Sequence, residues 1–188
     1  MRRMVVSVIG DAGVKPGSAT YETAREVGSL LVDAGFRVMT GGLGGVMEAA
    51  SRGAHESGAY SDGATIGVLP HLDPAEANEW VDIVLATGLD HARNTLVANA
   101  DAVIAVGGGA GTLSEIAFAW MFKRLVVALK GLGWADRLAG ERLDARARCE
   151  VEDDRVYSAD DARQAVAIVV QKLPLYGPRN KGFRPAGR

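Results

Sequence analysis

Apolar residues fall in short runs of strand length: Met4 to Ile9, Phe36 to Met39, Ala64 to Leu69, Ile83 to Ala86, Ala102 to Val106 and Leu125 to Leu129. The runs are rich in Val and Ile and do not alternate with polar residues, as expected of strands covered on both faces. Helical periodicity fills most of the gaps. Residues Ser18 to Ala34 put Ala24, Val27, Leu31 and Ala34 on one stripe, and Gly35 supplies a C-terminal stop. Further helices are predicted over Gly45 to Ser57, Asp90 to Ala100 with Asp90 as its cap, Thr112 to Lys123, and Asp160 to Lys172. Strand–helix–strand alternation of this kind predicts an α/β fold of three layers, a mainly parallel sheet flanked by helices. One domain is expected over residues 1 to 172. Gly131 to Glu152, with mixed charge and little periodicity, reads as surface structure. Residues 173 to 188 read as a basic, loosely ordered tail that could reach a neighbouring subunit.

In parallel α/β sheets ligands sit beyond the carboxyl ends of the strands, where strand order reverses. Glycine clusters stand at three such ends: Gly10 to Gly13, Gly41 to Gly45, and Gly107 to Gly111. The third is the most informative. Val103 to Val106 run straight into Gly107, Gly108, Gly109, Ala110, Gly111 and Thr112, and a helix follows. A strand that opens into a helix through bare glycines leaves backbone N–H groups facing outward, an arrangement that attracts phosphate. The dull reading of any one loop is a tight turn needing positive φ. Three in succession at residues 107 to 109 exceed what a turn requires.

Glu115 lies about one turn beyond that anion seat. It has two readings, as a catalytic carboxylate or as the partner of Thr112 in a capping box, Thr112-x-x-Glu115. Glu48 carries the same ambiguity behind the second glycine loop. Arg93 and Asn94 fall in the first turn of a predicted helix, where a cation opposes the helix dipole. Arg93 is therefore either an ordinary surface arginine or a bidentate anion ligand at the crevice. His91, two residues earlier, is a surface histidine or lines the same crevice. Phe118 and Trp120 read as core or subunit interface.

Composition narrows the function classes. The 188 residues are 48% hydrophobic and 23% charged, with a formal net charge of −2, an ordinary globular balance with no general pull toward nucleic acid or anionic membranes. Cys149 is the sole cysteine, so neither an internal disulfide nor a thiolate metal cluster can form. His55, His71 and His91 lack ligand spacing, and no metal site is expected. The five lysines avoid the glycine loops, which argues against a pyridoxal-phosphate Schiff base, and no cofactor is expected. Gly41 to Gly45 fails the dinucleotide spacing because Met47 occupies the last position counted from Gly42, and no Walker lysine is present. The apolar run at Met4 to Ile9 is too short for a signal h-region, and no run approaches membrane-spanning length, so the expected location is the cytoplasm.

The segment GGGAGTLSE, residues 107 to 115, resembles the P-G-G-x-G-T-x-x-E motif of the LOG family, the cytokinin riboside 5′-monophosphate phosphoribohydrolases often mislabelled lysine decarboxylases. The likeness extends to Gly10 to Gly13 with Tyr21, to Thr40 to Met47, to Gly67-Val68-Leu69-Pro70 and to the Arg93 segment, roughly residues 4 to 130. Within that superfamily the chain looks closest to a short branch that also holds molybdenum-cofactor carrier proteins. The resemblance implies a Rossmann-like fold, a homodimer or larger assembly, and hydrolysis of the N-glycosidic bond of a nucleoside 5′-monophosphate to free base and ribose 5-phosphate. It implies Glu115 and Arg93 as catalytic residues and Gly108, Gly109, Gly111 and Thr112 as the phosphate loop. Gly10, Asp11, Gly42, Gly44, Gly45, Glu48 and Asn94 complete the expected nucleotide site. Two positions depart from the family pattern. Gly107 replaces the proline, which suggests a more flexible loop, and Asn94 replaces the lysine after the arginine, which removes a charge.

The alternative function is a non-catalytic carrier of a nucleotide or a pterin-type cofactor on the same loops, with Glu115 merely capping. Single-stranded DNA binding fits poorly with the slightly acidic charge and few lysines. An NAD-dependent dehydrogenase lacks its fingerprint.

Overall fold

A computed structural model describes residues 2–176. Seven strands form one sheet: β1 (Val5–Gly10), β2 (Arg37–Thr40), β3 (Thr65–Leu69), β4 (Ile83–Ala86), β5 (Ala102–Val106), β6 (Leu125–Leu129) and β7 (Val156–Ala159). Their order is β4-β3-β2-β1-β5-β6-β7, and each neighbouring pair is parallel. The helices are α1 (Ala19–Asp33), α2 (Val46–Glu56), α3 (Asn94–Ala98), α4 (Ala110–Met121), α5 (Gly133–Leu138) and α6 (Ala162–Lys172). The sheet is thus wholly parallel among the described residues, but β4, at its edge, leaves Ile83 and Leu85 exposed, against the expectation that every apolar run is covered on both faces.

Side chains of alternate strand residues feed two cores. Val6, Val8, Val38, Ile104, Val106 and Val127 pack beneath α1, α2 and α6. Ile9, Val103, Ala105, Val126 and Ala128 pack beneath α3, α4 and α5. Helices α1 and α2 meet at their backbones: a Cβ on Gly28 would lie 1.9 Å from the Ala50 carbonyl oxygen, and one on Gly53 would lie 1.8 Å from that of Arg25. Only glycine allows that approach.

The helix boundaries follow legible chemistry in two places. Ser18 caps α1 by accepting from the Tyr21 N–H, and Asp161 caps α6 by accepting from the Gln164 N–H. Elsewhere the structure corrects the sequence reading. Asp90 caps nothing; it opens a 3-10 turn, Asp90–Arg93, with a φ of 48°, and α3 begins only at Asn94. The region read as surface contains α5 and the buried Arg148. Arg148 donates to the carbonyls of Trp120 and Arg124, pairs with Asp154 at 2.7 Å, and lies 3.7 Å from the Trp120 ring centre. Strand β7 had no counterpart in the sequence reading. The expected loose tail is structured at its start, because Leu173–Tyr176 forms a 3-10 turn whose Tyr176 hydroxyl donates to Asp154. The rest of that tail, from residue 177, lies outside the described residues. Among the described residues no helix is long and apolar enough to cross a membrane.

Candidate functional site

The strand order reverses between β1 and β5, and their carboxyl ends approach closely enough that a Cβ on Gly10 would meet the Val106 carbonyl oxygen at 2.5 Å. A cleft of about 510 Å³ opens above this point. It is lined by Gly10, Asp11, Gly41, Arg93, Asn94, Gly109, Gly111, Thr112 and Glu115, which the sequence singled out, except Gly41, only by its cluster. Ile9, Ala12, Leu43, Met47, Pro70, His71, Asp90 and His91 complete the lining. Leu43, Met47 and Pro70 were marked only by the family likeness, and Ile9 and Ala12 by no signal of their own, since a hydrophobic residue at a strand end reads as core. His91 does line the crevice.

Not every expected residue reaches the cleft. Gly42 packs on Leu69 and Gly67, Gly45 on the backbone of Asp11 and Ala12, and Gly44 stands 3.6 Å, from its Cβ position, from the Ala12 carbonyl oxygen. These glycines bring the first two loops together. Glu48 accepts a hydrogen bond from the Tyr21 hydroxyl at 2.9 Å, which ties α1 to α2. Gly108 sits against Thr112.

The capping box does not form. Helix α4 begins at Ala110, two residues earlier than its predicted start, with Gly109 as N-cap and no side-chain cap. Thr112 is therefore the third helical residue and Glu115 the sixth. The first-turn N–H groups consequently receive no side-chain hydrogen bond from the N-cap. A Cβ on Gly109 or Gly111 would meet nothing within 4 Å, so the mouth of the junction is open. The loop beneath is held rather than slack. Gly107 adopts a φ of 64°, which proline cannot take, and its carbonyl accepts from the Ala135 N–H while that of Gly108 accepts from the Trp134 N–H. This corrects the expectation of a more flexible loop.

Glu115 is 6% exposed, and Arg93 Nη1 lies 3.7 Å from its Oε1. That distance is an ion pair without a hydrogen bond, and Nη1 has no hydrogen-bond partner among the described residues. Burial pushes the Glu115 carboxyl up to about 7, with the Arg93 charge partly opposing the rise. Burial likewise lowers the Arg93 guanidinium, against the pull of Glu115. Asn94, 5% exposed, donates from Nδ2 to Ser114 Oγ at 2.9 Å, and Ser114 Oγ donates to the Gly111 carbonyl at 2.7 Å. The missing lysine charge is thus replaced by a neutral strut that joins Arg93's helix to the start of α4. Ser114 was invisible in the sequence, because a serine inside a helical pattern carries no distinctive spacing.

A desolvated carboxyl titrating near neutrality, an incompletely satisfied arginine and an uncapped helix start form one concave surface. Such a surface suits a ligand with an anionic end and a centre that gains positive charge.

Comparison with known proteins places this site in context. An uncharacterized protein of Archaeoglobus fulgidus is 42% identical over 131 residues, covering 69% of this chain and 82% of that protein. A probable cytokinin riboside 5′-monophosphate phosphoribohydrolase of Oryza sativa subsp. japonica is 37% identical over 110 residues, 55% of this chain and 43% of that protein. The solved molybdenum cofactor carrier protein of Chlamydomonas reinhardtii superposes with a TM-score of 0.73 at 32% identity, covering 92% of this chain and 99% of that one. The model of the SLOG cluster4 family matches residues 3–166, and the chain belongs to that family.

Proposed function

We propose that the chain hydrolyses the N-glycosidic bond of a nucleoside 5′-monophosphate, releasing free base and ribose 5-phosphate. The observation that carries this reading is the buried Glu115–Arg93 pair in the same cleft as the uncapped start of α4. The phosphate would rest on the open amides between Gly109 and Thr112, where the helix dipole favours a dianion. Phosphate binding remote from the bond that breaks would fix the sugar against Glu115. Departure of the base builds oxocarbenium charge on the ribose, which the ionised Glu115 stabilises while orienting the attacking water. Arg93 would hold substrate negative charge and keep a share of Glu115 ionised. The test is release of free base and ribose 5-phosphate from a panel of nucleoside monophosphates, with Glu115→Gln as the variant that retains binding and loses turnover.

A second reading is a carrier of a pterin-type cofactor, supported by the near-complete overlap with the Chlamydomonas reinhardtii carrier protein. In that case purified protein binds such a ligand tightly, no monophosphate loses its base, and Glu115→Gln leaves ligand affinity within a few fold of the wild type.

A further inference from the structure

Gly41 follows β2 directly and lines the cleft, yet its backbone makes no demand for glycine. Its neighbours Gly42 and Gly45 adopt φ values of 76° and 65°, whereas Gly41 is not among the residues in the left-handed region. What its missing side chain leaves room for is specific. A Cβ on Gly41 would stand 2.1 Å from Arg93 Nη1, 2.7 Å from Arg93 Cζ and 2.6 Å from Met47 Sδ. All three contacts are with ends of side chains and none with the backbone. Methionine is unbranched and adaptable, so Met47 can turn aside. The guanidinium cannot do so without leaving its place beside Glu115.

We infer that Gly41 is a positioning residue, the bare floor on which the Arg93 guanidinium lies so that Nη1 stays 3.7 Å from Glu115 Oε1. Non-bonded heavy atoms rest about 3.5 Å apart or more, so a methyl group at position 41 drives the guanidinium back by more than about 1 Å. A displacement of that size at a catalytic pair costs on the order of a hundredfold in rate. The second glycine loop, on this account, serves an arginine delivered by the turn between β4 and α3 rather than the phosphate itself. The consequence for turnover rests on the hydrolase reading above; the seating of Arg93 does not.

The experiment measures the ionisation of Glu115 directly, by carbon-13 NMR titration of its side-chain carboxyl. The proteins are the wild type, Gly41→Ala, Arg93→Ala and the double variant, assayed in parallel for base release from adenosine monophosphate. Arg93 opposes the burial-driven rise of this carboxyl, so its removal moves the midpoint further up. The other ionisable groups lining the cleft, Asp11, His71, Asp90 and His91, are exposed and stay in place in every variant. Gly41→Ala is expected to raise the midpoint as Arg93→Ala does, with no further rise in the double variant. Its turnover falls about a hundredfold, and adding it to Arg93→Ala costs nothing more. An unchanged Glu115 midpoint in Gly41→Ala, or losses that multiply in the double variant, overturns the inference. Should Gly41→Ala fail to fold, the double variant, with the guanidinium gone, is expected to fold normally; failure of both overturns it as well. A raised midpoint in Gly41→Ala, where the wild type releases base from none of a panel of nucleoside monophosphates, upholds the seat and retires the hydrolase.

Discussion

Glu115 is held where ionisation is unfavourable, and that has consequences for both stability and rate. Its carboxyl titrates near 7 in the fold against 4.5 as the reference value, so the folded protein holds this proton more tightly than the unfolded chain. The stabilising contribution is complete below about pH 4.5 and is lost as pH rises through about 7. Glutamine mimics the protonated form. Glu115→Gln is therefore expected to raise stability at pH 8 by on the order of 3 kcal/mol and at pH 5 by about 1 kcal/mol or less, read by chemical denaturation at the two pH values. The rate runs the other way. The proposed hydrolysis needs the carboxylate, so its kcat/KM is expected to climb with an apparent pKa of about 7 and to plateau above it. A flat profile between pH 5 and 9 contradicts a catalytic Glu115.

Among the elements, the junction of β5 and α4 decides whether the site exists, and its geometry inverts a naive reading of the family motif. The motif's proline is Gly107 here, and at a φ of 64° the loop turns in a way proline forbids. Restoring the motif with Gly107→Pro is expected to destabilise the fold by more than about 1 kcal/mol and to weaken phosphate binding, measured by thermal unfolding with and without inorganic phosphate. Gly28→Ala tests the contact that seats α2, whose first turn carries Met47 into the cleft. A Cβ there meets backbone rather than a movable side chain, so a loss of about 1–3 kcal/mol is expected in the same unfolding assay. The long amphipathic helices were legible because burial imposes a period on them, and the Val- and Ile-rich strands because burial makes them continuous apolar runs. Strand β7, Val156–Ala159, carries Ser158 and so makes no continuous apolar run, and α5, six residues with Ala135 its one buried member, is too short to show a period. The capping box failed for a related reason: Thr112 and Glu115 have the spacing, but α4 starts two residues earlier and places both inside the helix.

For the whole molecule, the glycine clusters at residues 10 to 13, 41 to 45 and 107 to 111 converge because the strand order reverses between β1 and β5. Sequence patterning located those loops at strand ends, the family resemblance implied Arg93 and Glu115 in one site, and the structure sets them 3.7 Å apart. Sequence alone did not reveal which glycines face the cleft and which merely pack, since Gly42 and Gly111 look alike in the sequence and differ only in what surrounds them. Nor did it reveal that Leu43, Met47 and Pro70 form an apolar wall of the cleft. The most direct test of the account is the stoichiometry of products from a nucleoside 5′-monophosphate incubated with the wild-type protein at pH 8. Free base and ribose 5-phosphate are expected in equal amounts, with turnover lost in Glu115→Gln while the nucleotide still binds. Wild-type protein that releases no base from any monophosphate, or a Glu115→Gln variant that turns over as fast, contradicts it.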